Sequence, residues 1–336
     1  MKNASLALLL ALPVLAATAP VSTRSPIAAS PTFAVEEGTT LVKVFEQNFD
    51  FALDSISMTM DGNDMSGMMG DLSMEQGVVE RVEFTDTYHS MKGDKPAKLA
   101  RTFVSLEANE TSEVSSPQGD NSEDKEKSSE LEGTTVIFEW DSDEEEYALS
   151  FAEDGSDDLL EDLEEDADLR GFLPEGEVGE GDSWEVDASA FEALFSPSGD
   201  LKFVGEDDEE SEEDDGELNE QFEENLSGEV TATYKGTRKI DDVLVGVIEI
   251  VGELVSDAEQ DVEQGPSVGS MVAQLNLDVE GQLLWNMEGG HFSSIELTAA
   301  MEMSMDTTMT IQDTHEMEQS MAFAGTVTFT ASATPE

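Results

Sequence analysis

Methionine is the residue whose number and spacing could do chemistry in this chain. Sixteen methionines and no cysteine occur in 336 residues. Met58, Met60, Met65, Met68, Met69 and Met74 cluster early, and Met301, Met303, Met305, Met309, Met317 and Met321 cluster late. The M-x-M spacing sets Met301, Met303 and Met305 on one face of a strand. Thioethers are soft ligands and can hold Cu(I) where thiols would be oxidised. His315 and Met317 could join such a site, with Met65, Met68 and Met69 as further candidates. The same residues have a plainer use. Methionine fills irregular apolar surfaces, and Phe323, Val327 and Phe329 continue the parity of Met317 and Met321. A pliable face of this kind also suits a greasy or variable ligand. The candidates for such a ligand face are Met58, Met60, Met301, Met303, Met305, Met321 and Phe323.

Other chemistry finds little support. There is no G-x-S-x-G, P-loop or G-x-G-x-x-G pattern. His315-Glu316 opens like a zinc-protease helix, but Gln319 stands where the second histidine belongs. His89, His291 and His315 are far apart and read as surface or strand residues. Asp141-Ser142-Asp143 begins like a calcium loop but continues through three glutamates without the required glycine. With 78 acidic residues, a carboxylate pair in sequence singles out nothing. The expectation is a protein that is not an enzyme and needs no cofactor. The alternatives are a methionine-based copper or silver binder and a hydrolase using carboxylates not identifiable from the sequence.

Charge limits the partners. Seventy-eight acids against 15 bases give a formal net charge of −63. Such a surface repels nucleic acid and anionic lipid. Nucleic acid is therefore not expected as a partner, and neither is membrane insertion of the mature form. An apolar small molecule, a cationic or protein partner, and weak divalent-cation binding are all compatible. The last 97 residues, after Lys239, hold eighteen acids and no lysine or arginine. A chain adapted to high ionic strength explains that pattern better than a dedicated metal site.

Residues 1–19 have the form of a signal peptide: Lys2, an apolar stretch from Leu6 to Ala17, then small residues. Export to a periplasmic or extracellular space follows, as a soluble protein without a cysteine to carry a lipid anchor. Residues 20–38 read as a flexible leader, and 39–336 as a single β-rich domain. Acidic insertions at about 107–132 and 206–224 are expected to be disordered, since self-repulsion there outweighs the little apolar surface available. Between them, Leu159, Leu160, Leu163 and Leu169 suggest a short acidic helix over 157–170. A second short helix is expected over 188–195, stopped by Pro197 and Gly199.

Elsewhere the apolar period is two. Val78–Phe84, Thr134–Trp140, Leu275–Trp285, His291–Ile311 and Glu316–Ala331 all alternate, with a Gly289-Gly290 turn between two of them. Val243–Val251 is nearly all apolar, as in a strand buried on both faces. The fold expected is mainly β: a long antiparallel meander forming a curved sheet, half-barrel or sandwich, with one or two short helices. A half-barrel arrangement resembles bacterial periplasmic lipid carriers and related secreted proteins. The phrase Leu173-Pro174…Gly181-Asp182-Ser183-Trp184 resembles one that recurs in secreted bacterial β-proteins, and reads as a turn delivering Trp184 to the core. The function expected is non-catalytic binding of an apolar ligand or a partner protein by a secreted or periplasmic protein.

Overall fold

The computed structural model describes residues 30–68, 72–117, 119–205, 221–222, 224–264, 267–311 and 314–336. The proposed signal peptide, the leader up to residue 29 and nearly all of the acidic insertion at 206–224 lie outside the described residues. So does Met69.

The chain forms one open antiparallel sheet. Its long strands are β1 (Thr40–Met60), β3 (Ser73–Lys92), β4 (Lys95–Ser116), β11 (Val243–Gln264), β12 (Ser267–Asn286), β13 (His291–Ile311) and β14 (His315–Pro335). The shorter ones are β2 (Asn63–Asp64), β5 (Gly119–Ser129), β6 (Thr135–Asp141), β7 (Glu146–Phe151), β8 (Ser183–Val186), β9 (Phe203–Gly205) and β10 (Ser227–Ile240). The path across the sheet is β7-β6-β4-β3-β1-β14-β13-β12-β11-β10-β8. The meander is thus centred on the pairing of β1 with β14. This path ends on strands of 6 and 4 residues, and the 11-residue β5 lies beside β4 off the path, paired on its other side with β9 only at Lys127–Ser129.

Period-two patterning fixes which face is buried. Leu41 and Phe45 of β1, Val82, Phe84 and Tyr88 of β3, Leu99 and Phe103 of β4, and Val327 and Phe329 of β14 all point to one side and are buried. Residues 155–202 return across this face. They supply Leu163, Leu169, Phe172, Phe191 and Leu194 as the opposing layer. The layer includes one short helix, α1 (Glu192–Phe195), preceded by a 3-10 turn at Ala188–Phe191. Asp187 caps that turn by accepting from the Ser189 amide at 3.0 Å. The helix expected at 188–195 is therefore present. The turn before Trp184 forms as expected: Gly181 adopts φ +94°, and the Asp182 carboxylate accepts from the Gly179 amide. Trp184 packs on the core, and its indole N–H donates to the Phe172 carbonyl at 3.2 Å.

Four expectations are corrected. Residues 107–132 are ordered for most of their length: the end of β4 pairs with β5 from Glu107↔Ser128 to Ser116↔Gly119. Lys125 and Lys127 lie among the acids there, and Lys127 meets Glu110 at 2.6 Å, so local neutralisation lets the hairpin form. Residues 157–170 are not one helix. They comprise a 3-10 turn at Asp157–Leu160, a bridge from Leu163 to Gly199 and a 3-10 turn at Arg170–Phe172. Their carbonyls and carboxylates are drawn instead to basic side chains of the sheet, described below. The described end of the leader is tied down: Phe33 and Val35 are buried, Ala34 donates to the Gly290 carbonyl at 2.8 Å, and Trp285 Nε1 donates to the Thr32 carbonyl. Val243–Val251 is buried along the face of Ile248 and Ile250, while on the other face Val245 is buried but Val243 and Val251 are 37% and 53% exposed.

Candidate functional site

Strands of 20–22 residues run to roughly 70 Å at about 3.3 Å per residue. The opposing layer covers only part of that length. Its last large side chain over β1 and β14 is Phe195, whose ring lies 5.0 Å from Phe329 and 6.5 Å from Phe49. Beyond it the same face of the sheet continues, and there the methionines lie.

Directly opposed residues of antiparallel strands share a face, so the register assigns the side of each. One row across the sheet is Phe51, Gly325, Met301 and Leu277. The next is Leu53, Phe323, Met303 and Leu275, followed by Ile56, Met321, Met305 and Ala273. Then come Met58, Gln319, Thr307 and Met271, and finally Met60, Met317, Met309 and Gly269. A bulge at Asp54 makes this possible. It adds one residue between Leu53 and Ser55, so odd residues of β1 face inward before it and even residues after it. Gly325 lets two strands approach closely, since a Cβ there would stand 2.1 Å from the Asp50 carbonyl oxygen.

All seven ligand-face candidates are brought together on this surface. Met301 and Phe323 are 5% exposed, whereas Met58, Met60, Met303, Met305 and Met321 remain partly exposed. The Phe51 and Phe323 rings meet edge to face at 6.0 Å where the covering layer stops. Met317 belongs to the same face. His315 is paired across strands with Ile311, and its Nδ1 lies 2.7 Å from Asp61 Oδ2. Met65 and Met68 are off the long strands, in the loop after β2, where the Met65 amide donates to the Met58 carbonyl. Met271 and Met309 complete the face. Met271 was missed because it stands alone in its strand, and only register reveals its row.

A second feature escaped the sequence reading altogether. Lys43, Asp86, Tyr88, Arg101 and Asp168 are 0% exposed and mutually bonded beneath the covering layer. Arg101 donates from Nε and Nη2 to the two Asp86 oxygens at 2.8 and 2.9 Å. Lys43 Nζ bridges Asp86 at 2.8 Å and Asp168 at 2.7 Å, and the Tyr88 hydroxyl donates to Asp168 at 2.5 Å. Arg101 also donates to the Glu164 and Glu165 carbonyls and to Ser198 Oγ. Arg170 meets the Glu165 carboxylate at 2.6 Å. The group therefore fastens the acidic segment to the sheet. Although burial opposes ionisation, the adjacent Arg101 and Lys43 hold the Asp86 carboxyl below its ordinary range. Burial dominates at Glu165 and pushes its carboxyl up to about 7, against the pull of Arg170. His291, 2% exposed, donates from Nδ1 to the Phe292 carbonyl and accepts at Nε2 from Asn286, and burial lowers its pKa.

A cleft of about 1170 Å³ lies beside the β4–β5 hairpin, lined by Glu46, Arg81, Glu107, Lys125 and Lys127 among others. Its lining is charged and unsuited to an apolar guest. Among the described residues no group of three or more His, Asp or Glu side chains could hold a metal ion, and no helix is long and apolar enough to cross a membrane.

No family model and no curated protein matches this chain. Among solved structures it shows a slight likeness to OccK7 (OpdD) of Pseudomonas aeruginosa, at 8% identity and a TM-score of 0.17 over 88% of this chain and 99% of that one. OpdQ of the same organism gives 7% identity and 0.15 over 88% and 98%, and OccAB4 of Acinetobacter baumannii 8% and 0.16 over 89% and 99%. Scores at this level carry no structural or functional inference.

Proposed function

We propose that this chain is an exported, non-catalytic binding protein that takes an apolar small molecule on the methionine face. The observation that carries the reading is the continuation of the core face beyond Phe195, where methionine and phenylalanine rows remain partly exposed. Thioether side chains turn easily and are polarizable, so such a face adapts to guests of different shape. The signal-peptide form of residues 1–19 supports export. The buried ion cluster is closed to solvent and pairs Lys43 and Arg101 with Asp86 and Asp168, which suits a structural role for it.

An environment-sensitive anilinonaphthalene dye tests the proposal. The expected result is saturable binding at micromolar dye that is lost in Met305→Glu and retained in Val79→Glu, a substitution on the opposite face. Absence of saturable binding overturns it. So does equal loss in the two variants, provided both keep the far-ultraviolet dichroism of the parent.

A further inference from the structure

The last row of the methionine face differs from the others. Met60, Met317 and Met309 are directly opposed on three adjacent strands, the order being β1, β14, β13. Opposed pairs have Cβ atoms about 4.5–5.5 Å apart, within which flexible thioethers can converge on one atom. Met309 is 6% exposed and its two neighbours are partly exposed, so the row is sheltered but reachable.

Two independent features surround it. The first is charge: the described residues at this end come from within 44–80 and 240–336, two stretches of sequence without a single lysine or arginine. The second is His315, two residues before Met317 and on its side of β14. Its Nδ1 is engaged by Asp61 Oδ2, and the Asp61 carboxylate also accepts from the Glu316 amide at 3.1 Å. A histidine held through one nitrogen by a carboxylate presents the other as a ligand, the usual outer-sphere arrangement of a metal-binding imidazole.

We propose that this row holds one soft monovalent metal ion, Cu(I) or Ag(I), between the thioethers of Met60, Met317 and Met309, with His315 available as a fourth ligand. Neutral sulfur ligands select soft ions over calcium or magnesium. Thioethers carry no proton to displace, so binding by the three sulfurs alone does not require the deprotonation that carboxylate, thiolate or imidazole ligands need. This site is separate from binding of an apolar guest and can fail without it, since the dye experiment contains no metal.

The test uses the mature protein and Ag(I) alone, as the nitrate in chloride-free buffer, with native mass spectrometry and NMR of the methionine methyl groups. One retained ion per chain is expected, at neutral pH and still at roughly pH 4 where surface carboxylates begin to protonate. The methyl signals of Met60, Met309 and Met317 should move most. Met309→Leu and Met317→Leu, which keep side-chain volume, should each weaken retention about tenfold or more. Met303→Leu should leave it unchanged. The proposal is overturned if no ion is retained. It also fails if retention disappears with carboxylate protonation, or if Met303→Leu weakens it as much as Met309→Leu.

Discussion

Asp86 and Arg101 stand directly opposite each other on β3 and β4 and form a bidentate ion pair from which water is wholly excluded. Asp86 also serves Lys43, so one carboxylate answers two buried cations. Asp86→Asn would leave both under-compensated. Removing one partner of a buried pair costs about 3–5 kcal/mol, and a loss of that size is expected in urea denaturation. A loss below about 1 kcal/mol would mean that the cations find another answer. Replacing Lys43, Asp86, Arg101 and Asp168 together by apolar residues should cost much less than the single change, because the two cations and two carboxylates leave as a balanced set.

Stability should also depend on pH through Glu165. Its carboxyl titrates near 4.5 when free and near 7 in the fold. Between these values the folded chain keeps a proton that the unfolded chain has released, so stability falls as pH rises through this interval and levels off above it. Arg170, Asp166 and Asp168 set the local field and remain in place in Glu165→Gln. That variant should show a flatter profile between pH 4.5 and 7. An unchanged slope there would assign the dependence elsewhere. Asp86 acts at the acid end, where its stabilising ionisation is lost only below its free value of 3.8.

The net charge of −63 makes ionic strength a third handle. Screening length falls from about 10 Å at 0.1 M salt to about 3 Å at 1 M. Surface carboxylates repel less as it shortens, whereas the buried cluster is shielded from the added ions. The thermal midpoint should therefore rise with sodium chloride over this range. A midpoint that is flat or falling would show that surface repulsion does not govern stability.

Met303→Leu and Met305→Leu separate packing from recognition. Leucine conserves volume, so each change should cost less than about 1.5 kcal/mol. It also stiffens the face. Dye affinity should drop modestly for bulky guests and hold for small ones, as measured across a series of dyes of graded size. Equal effects on every guest would argue that pliability plays no part.

Much of the sheet was legible because its strands alternate in parity, and the parity of Met301, Met303 and Met305 survived intact into the fold. β1 was harder. Phe51 and Leu53 share a face with Met58 and Met60 only because of the bulge at Asp54, which inverts parity part-way along the strand. The ion cluster was missed because its members are far apart: Lys43 and Asp168 are separated by 125 positions. A signal was nevertheless present. Leu41-x-Lys43-x-Phe45, Phe84-x-Asp86-x-Tyr88 and Leu99-x-Arg101-x-Phe103 each place a charge on the inward parity between large apolar residues. Three inward charges of mixed sign must meet beneath a cover, and the cover is the segment whose leucine spacing suggested a helix. Helical spacing there was coincidental: Arg101 takes the carbonyls of Glu164 and Glu165, which draws the backbone away from helical pairing.

The seam between β1 and β14 joins Leu41 to Pro335, and the Glu336 amide donates to the Thr40 carbonyl at 3.1 Å. β14 follows β1 in the chain with nearly the whole sheet between them, so the middle of the sheet stays unzipped until β14 has been made. Loop closure over so long a separation is slow, so pairing across this seam comes late in the assembly of the sheet. The same adjacency makes the seam a natural place to splice: a linker from Glu336 to Ser30, which keeps Phe33 and Val35 in the core, with new ends opened at the exposed Gly93-Asp94 turn, would rewire the order of assembly while leaving the finished sheet unchanged.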